Sequence, residues 1–304
     1  RKSGFFLSIL TGIVLSGTGI NPSYLLCFFL IISIYLFGIL ITSRKEKIAK
    51  LINFLLVIST VIAVNVFWIL PTINYIIRGI PTGGSIDKLG FTNWVDSLSE
   101  NTSIFNVLRL QGAWDWYTVD QVTGLPLYIP YALNYFYKLP FIIFSLAAPI
   151  LAIISLIFKK KANNYLYFGF SIMFFVGVFL GAGTHPPTGA VFRYLLEHVP
   201  FFSLFRSPWY IFTPLVTLAY AGLIGLLFDH ILEYLETKKQ IITKVLLGLF
   251  GTILIIGNLL YCYPLITGKI FRPNRSDSFY VNFPDYIFDA AKWLKEGNDD
   301  KRII

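Results

Sequence analysis

Long runs of apolar residues constrain the fold of this chain more than any other feature. A helix rises about 1.5 Å per residue, so a hydrocarbon core about 30 Å thick requires about 20 residues. Lipid offers no partner to backbone amides, so a run that crosses a bilayer must be helical. The sequence therefore predicts an all-α, polytopic membrane protein with about seven transmembrane helices. The predicted spans are Gly4 to Gly19, Tyr24 to Thr42, Leu51 to Ile77, Leu139 to Phe158, Tyr165 to Ala182, Trp209 to Leu232 and Val245 to Leu265.

The composition and the distribution of charge support this fold class. Hydrophobic residues make up 56% of the chain and charged residues 13%, whereas soluble domains carry about 25% charged residues. The formal net charge is +9, and positive loops favour the cytoplasmic side and anionic lipid. The sequence therefore predicts a multi-pass protein of the plasma membrane whose partner is membrane lipid and not nucleic acid. The basic clusters, which seven spans place on one side, are Arg1-Lys2, Arg44 to Lys50, Lys159 to Lys161 and Lys238 to Lys244.

The longest polar segments fall on the other side of the membrane. Residues 78–138 and residues 183–208 are predicted to be extracytoplasmic loops that contain short helices. We divide the chain into a transmembrane domain, 1–266, and the start of an extracytoplasmic domain, 267–304, which is expected to be truncated. Within the tail, Tyr286 to Lys295 has apolar residues on one helical face and predicts a helix.

The loop 183–208 contains the candidate residues for binding a phosphate. Paired prolines end the preceding helix, and Ala190 to His198 is predicted to form a short helix with Arg193 on it and Arg206 beyond it. Guanidinium groups bind phosphate bidentately, so we assign a lipid-linked phosphate to Arg193, Arg206 and His185. The alternatives are that the arginines contact lipid headgroups or pair with Glu197, and that the histidine forms only a structural hydrogen bond.

The loop 78–138 contains the candidate residues for binding a sugar. Glu100 to Arg109 is predicted to form a capped amphipathic helix, and an aromatic, polar stretch follows it. Aromatic rings stack on sugar faces and polar groups bind the hydroxyls. The alternative is that these aromatic residues anchor the protein at the membrane interface. The assigned sugar-binding residues are Arg109, Trp114, Asp115, Trp116 and Tyr117.

Polar and small residues inside the apolar runs predict helix packing. Asn65 and Asn258 lie within predicted spans, where an interhelical hydrogen bond is the favoured role. Glycines at 169, 177, 181 and 183 give the fifth span a small face for close packing. No nucleotide-binding, zinc-protease or serine-hydrolase motif occurs in the sequence. Any chemistry is therefore expected in the extracytoplasmic loops or at the bilayer interface.

Three stretches resemble the GT-C type of membrane glycosyltransferase, in particular the AftD-like arabinofuranosyltransferases and the YfhO-like membrane proteins. They are Gly19 to Tyr24, Gly183 to Trp209 and Phe283 to Ile304. The resemblance implies transfer of a sugar from a polyprenyl-phosphate donor to a glycan or lipid acceptor outside the cytoplasm. It also implies an outer carbohydrate-binding or jelly-roll-like domain after the tail.

The resemblance does not identify the catalytic residue in this chain. Enzymes of this type place a catalytic acid in their first outer loop, which would precede a piece that begins where this sequence does. Four aspartates lie on the expected side, none of them in a matching motif: Asp87, Asp96, Asp115 and Asp120. The need for a divalent metal ion stays open. The alternatives are a flippase or transporter of lipid-linked sugars and a noncatalytic scaffold for the outer domain.

Overall fold

The chain is helical throughout the part that the structure describes. The structure is a computed structural model, and it describes residues 2–42, 47–77, 88–121, 124, 126–129, 131–158, 164–199, 202–237, 241–267 and 285–296. These residues form no β-strand, and an isolated antiparallel bridge joins Val119 to Pro126. The helices are α1 (Lys2–Val14), α2 (Ser23–Thr42), α3 (Lys47–Ile77), α4 (Lys88–Leu98), α5 (Ile104–Leu108), α6 (Ala132–Tyr137), α7 (Leu139–Ile157), α8 (Asn164–Gly181), α9 (Gly189–His198), α10 (Pro208–Thr237), α11 (Ile241–Tyr261), α12 (Tyr263–Thr267) and α13 (Asp285–Glu296).

Among the described residues, five helices are long and apolar enough to cross a membrane by length and composition: α2, α3, α7, α10 and α11. They coincide with five of the predicted spans. The other two predicted spans are shorter apolar helices, over Gly4–Gly19 and Tyr165–Gly181. The all-α fold is thus confirmed for the described residues, while the total of seven spans and the orientation in the membrane stay predictions.

Helix α10 lies at the centre of the bundle. Protein buries 50% of its most apolar window, against 6% for α11, so α10 is internal and α11 is peripheral. Its most extensive neighbours are α8 and α7. At Gly177 on α8 an added Cβ would lie 2.8 Å from Val216 Cγ2 and 3.2 Å from the Val216 backbone nitrogen. The close packing predicted for this glycine is therefore present, because a larger residue would hold the two helices apart.

Asn65 ties α3 to α1 inside the apolar part of the bundle. Its side chain is fully buried, and Nδ2 donates to the Gly12 carbonyl at 3.0 Å and to the Val61 carbonyl at 2.9 Å. The interhelical hydrogen bond predicted for Asn65 is confirmed. The same prediction is wrong for Asn258, which is exposed and donates to the Leu254 carbonyl of its own helix at 2.8 Å. At that exposed position no other helix among the described residues supplies an acceptor.

Four short helices form a cap over one end of the bundle, where α7 and α10 begin and α8 and α11 end. We define the cap as α4, α5, α6 and α9 with their connecting residues. Val95 of α4, Phe192 of α9 and Phe212 of α10 are each 0% exposed and share one apolar cluster. In addition, the Thr102 hydroxyl donates to the Ala182 carbonyl at 2.7 Å. The two predicted polar loops are therefore packed together, and both are packed on the bundle.

The short helices match the sequence-based predictions in position, with one difference in length. Helix α9 confirms the helix predicted from Ala190, and α13 confirms the one predicted in the tail. Helix α5 is shorter than the predicted Glu100 to Arg109. Ser103 caps it by accepting from the Asn106 amide at 3.2 Å, and Leu110 ends it with a left-handed φ of 56°. The rest of the tail, 268–284 and 297–304, lies outside the described residues.

Replacement of Gly177 tests the close packing of α8 and α10. We expect Gly177→Ala to destabilise the folded protein by about 1–3 kcal/mol, because the new methyl group overlaps Val216 in a well-packed interface. Unfolding in a detergent titration measures the change. Gly169→Ala is the matched control on the same helix, since its added Cβ meets nothing within 4 Å. Equal stability of the two variants would contradict the packing described here.

Candidate functional site

Arg193, the first of the arginines assigned to a phosphate, forms an ion pair with Asp96 on α4. Its Nη2 donates to Asp96 Oδ1 at 2.9 Å and to Oδ2 at 3.0 Å. Both side chains keep access to solvent, with 46% of the arginine and 36% of the carboxylate exposed. The described ion pair thus joins two loops that are 97 positions apart, instead of joining Arg193 to the nearby Glu197.

Arg206, the second of these arginines, also contacts α4. Its guanidinium carbon lies 5.2 Å from the centre of the Trp94 ring, within the range of a cation–π interaction. The side chain is exposed. The two arginines therefore contact neighbouring positions of α4 from two different parts of the second loop. They hold this helix against α9 and the start of α10.

The described side-chain contact of His185, the third residue assigned to a phosphate, is with the residue that follows it in the chain. Its ring is partly exposed, and Nδ1 lies 2.6 Å from the Pro186 carbonyl oxygen of the adjacent residue. A carbonyl can only accept, so this nitrogen carries the proton in that contact. Within the described residues, no hydrogen bond, ion pair or ring contact links His185 to Arg193 or Arg206. The local hydrogen bond, which was the structural alternative, is the one observed.

Arg109 occupies a different position, between the cap and the bundle. Its Nε donates to the Ser145 hydroxyl of α7 at 2.9 Å, and its guanidinium lies 5.2 Å from the Phe105 ring centre. Its Nη2 is buried and has no hydrogen-bond partner in the described part of the chain. A buried donor without a partner costs free energy. The guanidinium is therefore able to bind an acceptor without giving up an existing contact.

Gln111 and Tyr117 lie close to Arg109 and contact each other. Gln111 is 0% exposed, and its Nε2 donates to the Tyr261 hydroxyl at 2.8 Å. Its Oε1 has no described partner. The Tyr117 hydroxyl donates to the Gln111 carbonyl at 2.7 Å. Burial raises the pKa of Tyr117 to about 12, and the nearby positive charge of Arg109 opposes part of that rise.

Asp115 presents a third unpaired polar atom. Its Oδ1 is buried and has no hydrogen-bond partner among the described residues, while the carboxylate faces the Tyr210 hydroxyl. Burial, and after it the negative charge of Asp115, raises the pKa of Tyr131. A carboxylate with a free acceptor beside neutral tyrosine hydroxyls is suited to binding hydroxyl groups.

Aromatic rings pack around these polar groups. The Trp114 ring meets Tyr128 edge-on at 5.5 Å between centres, and the Trp116 ring meets Tyr135 edge-on at 5.1 Å. Tyr117 stacks on Phe136 with 4.7 Å between centres. Tyr135 also donates to the Tyr261 carbonyl. The cluster therefore combines aromatic faces with unpaired donors and acceptors, while the sugar site assigned to these residues stays a prediction.

The structure arranges the predicted site residues in two separate groups. Arg109, Trp114, Asp115, Trp116 and Tyr117 belong to one cluster, which we call the 109–117 cluster. No described hydrogen bond, ion pair or ring contact joins this cluster to Arg193 or Arg206. The residues assigned from the sequence did not include Gln111, which begins the same aromatic, polar stretch, or Tyr261, which reaches the cluster from α11.

No candidate metal site occurs in the part of the chain that the structure describes. Groups of three or more His, Cys, Asp or Glu side chains close enough to hold an ion are absent from these residues. The site is built instead from one guanidinium, one carboxylate, amide groups and aromatic hydroxyls.

In the part of the chain that the structure describes, these features define a helical protein with five helices able to cross a bilayer and a polar, aromatic cap at one end of the bundle. Comparisons with protein families, curated proteins and solved structures found no match to the chain. The resemblance to GT-C glycosyltransferases therefore stays a prediction from three short stretches of sequence.

A double-mutant cycle tests the ion pair between Arg193 and Asp96. We expect the Arg193→Ala and Asp96→Ala changes to be coupled by about 0.2–1 kcal/mol in unfolding free energy, the range for solvent-exposed pairs. The coupling should fall as salt is raised, because salt screens exposed charges. Thermal unfolding of the four proteins provides the measurement. Arg193→Ala combined with Glu197→Ala is the control and should show no coupling; coupling there, and none with Asp96, would show that Glu197 is the partner.

The alkaline titration of Tyr117 tests its burial beside Arg109. Its pKa is raised from 10.0 to about 12, so the unfolded chain loses this proton before the folded protein does. The contribution of Tyr117 to stability is then fully present below pH 10 and is lost as the pH rises through about 12. A tyrosinate absorbance difference between the wild type and Tyr117→Phe isolates this residue. A difference titration centred at the ordinary value of 10 would contradict the burial.

Proposed function

We propose that this chain is the membrane part of a GT-C-type glycosyltransferase. In this proposal it moves a sugar from a polyprenyl-phosphate donor to a glycan or lipid acceptor on the extracytoplasmic side of the plasma membrane. The observation that carries the proposal is the buried, unpaired Nη2 of Arg109 inside an aromatic cluster. A buried guanidinium N–H without an acceptor is suited to an anionic ligand.

The position of Arg109 along the bundle favours a phosphate that is attached to a lipid. Its partner Ser145 lies six residues after the start of α7, which corresponds to a depth of about 9 Å along the helix. Helix α7 has 19 residues and is therefore about 28 Å long, roughly the thickness of the hydrocarbon core. Arg109 thus contacts a helix that can cross a membrane, and a phosphate carried by a membrane lipid can approach this position from the bilayer.

Arg109 is a better candidate for this phosphate than the two arginines assigned from the sequence. Arg193 is paired with Asp96, and Arg206 lies over Trp94. The assignment of a phosphate to Arg193, Arg206 and His185 stays a prediction. In the reaction, Arg109 would stabilise the negative charge that develops on the leaving lipid phosphate. A general base would deprotonate the acceptor hydroxyl, and we assign no residue to that role.

A noncatalytic scaffold is the second candidate function, and one observation favours it. Two of the residues assigned to the donor, Arg193 and Arg206, have contacts that hold α4 against the rest of the cap. A scaffold needs a rigid cap but no phosphate site. The two functions therefore differ in whether the 109–117 cluster binds a lipid phosphate.

Binding of polyprenyl phosphate by the full-length protein in nanodiscs distinguishes these functions. We expect Arg109→Gln to weaken binding by about tenfold or more, because a hydrogen bond to a charged group contributes about 1.5–3 kcal/mol. Lys138→Gln removes an exposed cation at the same end of the bundle and is the matched control. Native mass spectrometry gives the dissociation constants.

Two other binding results would contradict the assignment of the phosphate to Arg109. If Arg193→Gln or Arg206→Gln weakens binding and Arg109→Gln does not, the phosphate lies at α4 as predicted from the sequence. If the wild type does not bind polyprenyl phosphate at all, the glycosyltransferase proposal is wrong and a scaffold is favoured.

A further inference from the structure

Two oxygen atoms in the 109–117 cluster have no hydrogen-bond donor. Gln111 Oε1 and Asp115 Oδ1 are both buried, and the described part of the chain supplies neither with a partner. Gln111 is 0% exposed, and its amide nitrogen is held by the Tyr261 hydroxyl. Leaving a buried acceptor unpaired costs about 1–3 kcal/mol, so both positions call for a group that donates hydrogen bonds.

The chemistry of the cluster limits which donors fit. A carboxylate and an amide oxygen only accept, so a ligand group at these positions must be a hydroxyl or an ammonium. Arg109 acts electrostatically on Tyr117, whose hydroxyl donates to the Gln111 carbonyl, so a positive charge next to Gln111 is disfavoured. A negative charge at Asp115 Oδ1 is disfavoured by the carboxylate itself. Hydroxyl groups on an uncharged ring remain.

The aromatic rings indicate the shape of that ligand. Trp114 and Trp116 are partly exposed, and each is fixed by edge-on contact with a tyrosine, Tyr128 for the first and Tyr135 for the second. Fixed aromatic faces beside hydroxyl-binding oxygens are suited to a ring that carries C–H groups on its face and hydroxyls at its edge. A sugar ring has this arrangement.

We propose that Gln111 and Asp115 form a subsite for a neutral, polyhydroxylated sugar ring and select against sugars that carry a carboxylate. This inference rests on the proposed function, in which the ring is the group linked to the lipid phosphate at Arg109. The Gln111 and Asp115 oxygens accept from ring hydroxyls, and Trp114 or Trp116 covers a face of the ring. A uronic acid would place its carboxylate against the Asp115 carboxylate and the Gln111 Oε1, which also accepts, so neither atom would gain a hydrogen-bond donor.

The test compares four lipid probes on the full-length protein in nanodiscs. The probes are polyprenyl phosphate alone and the same lipid carrying a neutral hexose, a uronic acid or an amino sugar. We expect the neutral sugar to bind about tenfold or more tightly than the uronic acid, as one hydrogen bond to a charged group allows. Asp115→Asn keeps the shape and removes the charge, so it should reduce this preference to near unity.

Control variants separate the subsite from general effects on folding. Asp120→Asn makes the same chemical change in the same loop and should leave the preference intact. If Asp115→Asn does not fold, Gln111→Met, which has a similar volume, removes the other acceptor and should weaken neutral-sugar binding about tenfold. Thermal unfolding of each variant shows whether it is folded.

The outcomes distinguish this inference from the proposed function. If polyprenyl phosphate alone binds through Arg109 but the neutral and acidic sugars bind equally, the subsite is wrong and the donor site stands. Tightest binding of the amino sugar, or a preference that Asp115→Asn leaves unchanged, also overturns the subsite. If no probe binds, both proposals are wrong.

Discussion

The close contact between α8 and α10 is the constraint on which the rest of the structure depends. Lipid gives no hydrophobic driving force between helices, so they associate through close packing and hydrogen bonds. Gly177 allows α10 to approach α8, and the start of α10 then supports the cap. Trp209 packs against Gly112, where an added Cβ would lie 2.9 Å from its ring, and the Tyr220 hydroxyl donates to the Leu108 carbonyl at 2.8 Å. The position of the 109–117 cluster therefore follows from helix packing in the bundle.

The charged groups in the two parts of the cap differ in how completely they are paired. At α4, Arg193 and Asp96 satisfy one another at the surface, and the buried atoms nearby in the chain without a described partner are the hydroxyls of Ser99, after α4, and Thr188, before α9. In the 109–117 cluster, the buried atoms without a described partner include those of two charged groups, Arg109 Nη2 and Asp115 Oδ1. An exposed ion pair is explained by docking of the helix alone. Unpaired groups in a desolvated position require a further explanation, because the same low dielectric that strengthens a completed network makes an unpaired group costly.

The helices that depend on local sequence could be predicted, whereas side-chain pairs that are distant in the sequence could not. Apolar length located α2, α3, α7, α10 and α11, since each run contains its own backbone hydrogen bonds. The end of α5 depends on the left-handed Leu110, which no propensity predicts. The aromatic composition identified the 109–117 cluster. The pairing of Gln111 with Tyr261 joins residues 150 positions apart, and the pairing of Arg193 with Asp96 is similarly remote, so neither can be read from spacing.

The two candidate phosphate sites, at Arg193 and at Arg109, differ mainly in how much water a bound phosphate must displace from the protein. An exposed pair such as Arg193 with Asp96 contributes at most about 1 kcal/mol, so exchange of Asp96 for a phosphate is not costly in itself. A phosphate at that position must, however, also displace water from two exposed side chains. At Arg109 the Nη2 atom is already buried in the folded protein, and a bound phosphate would be its first partner. The binding free energy would then not be reduced by further desolvation of this atom, which is the advantage of a preorganised site.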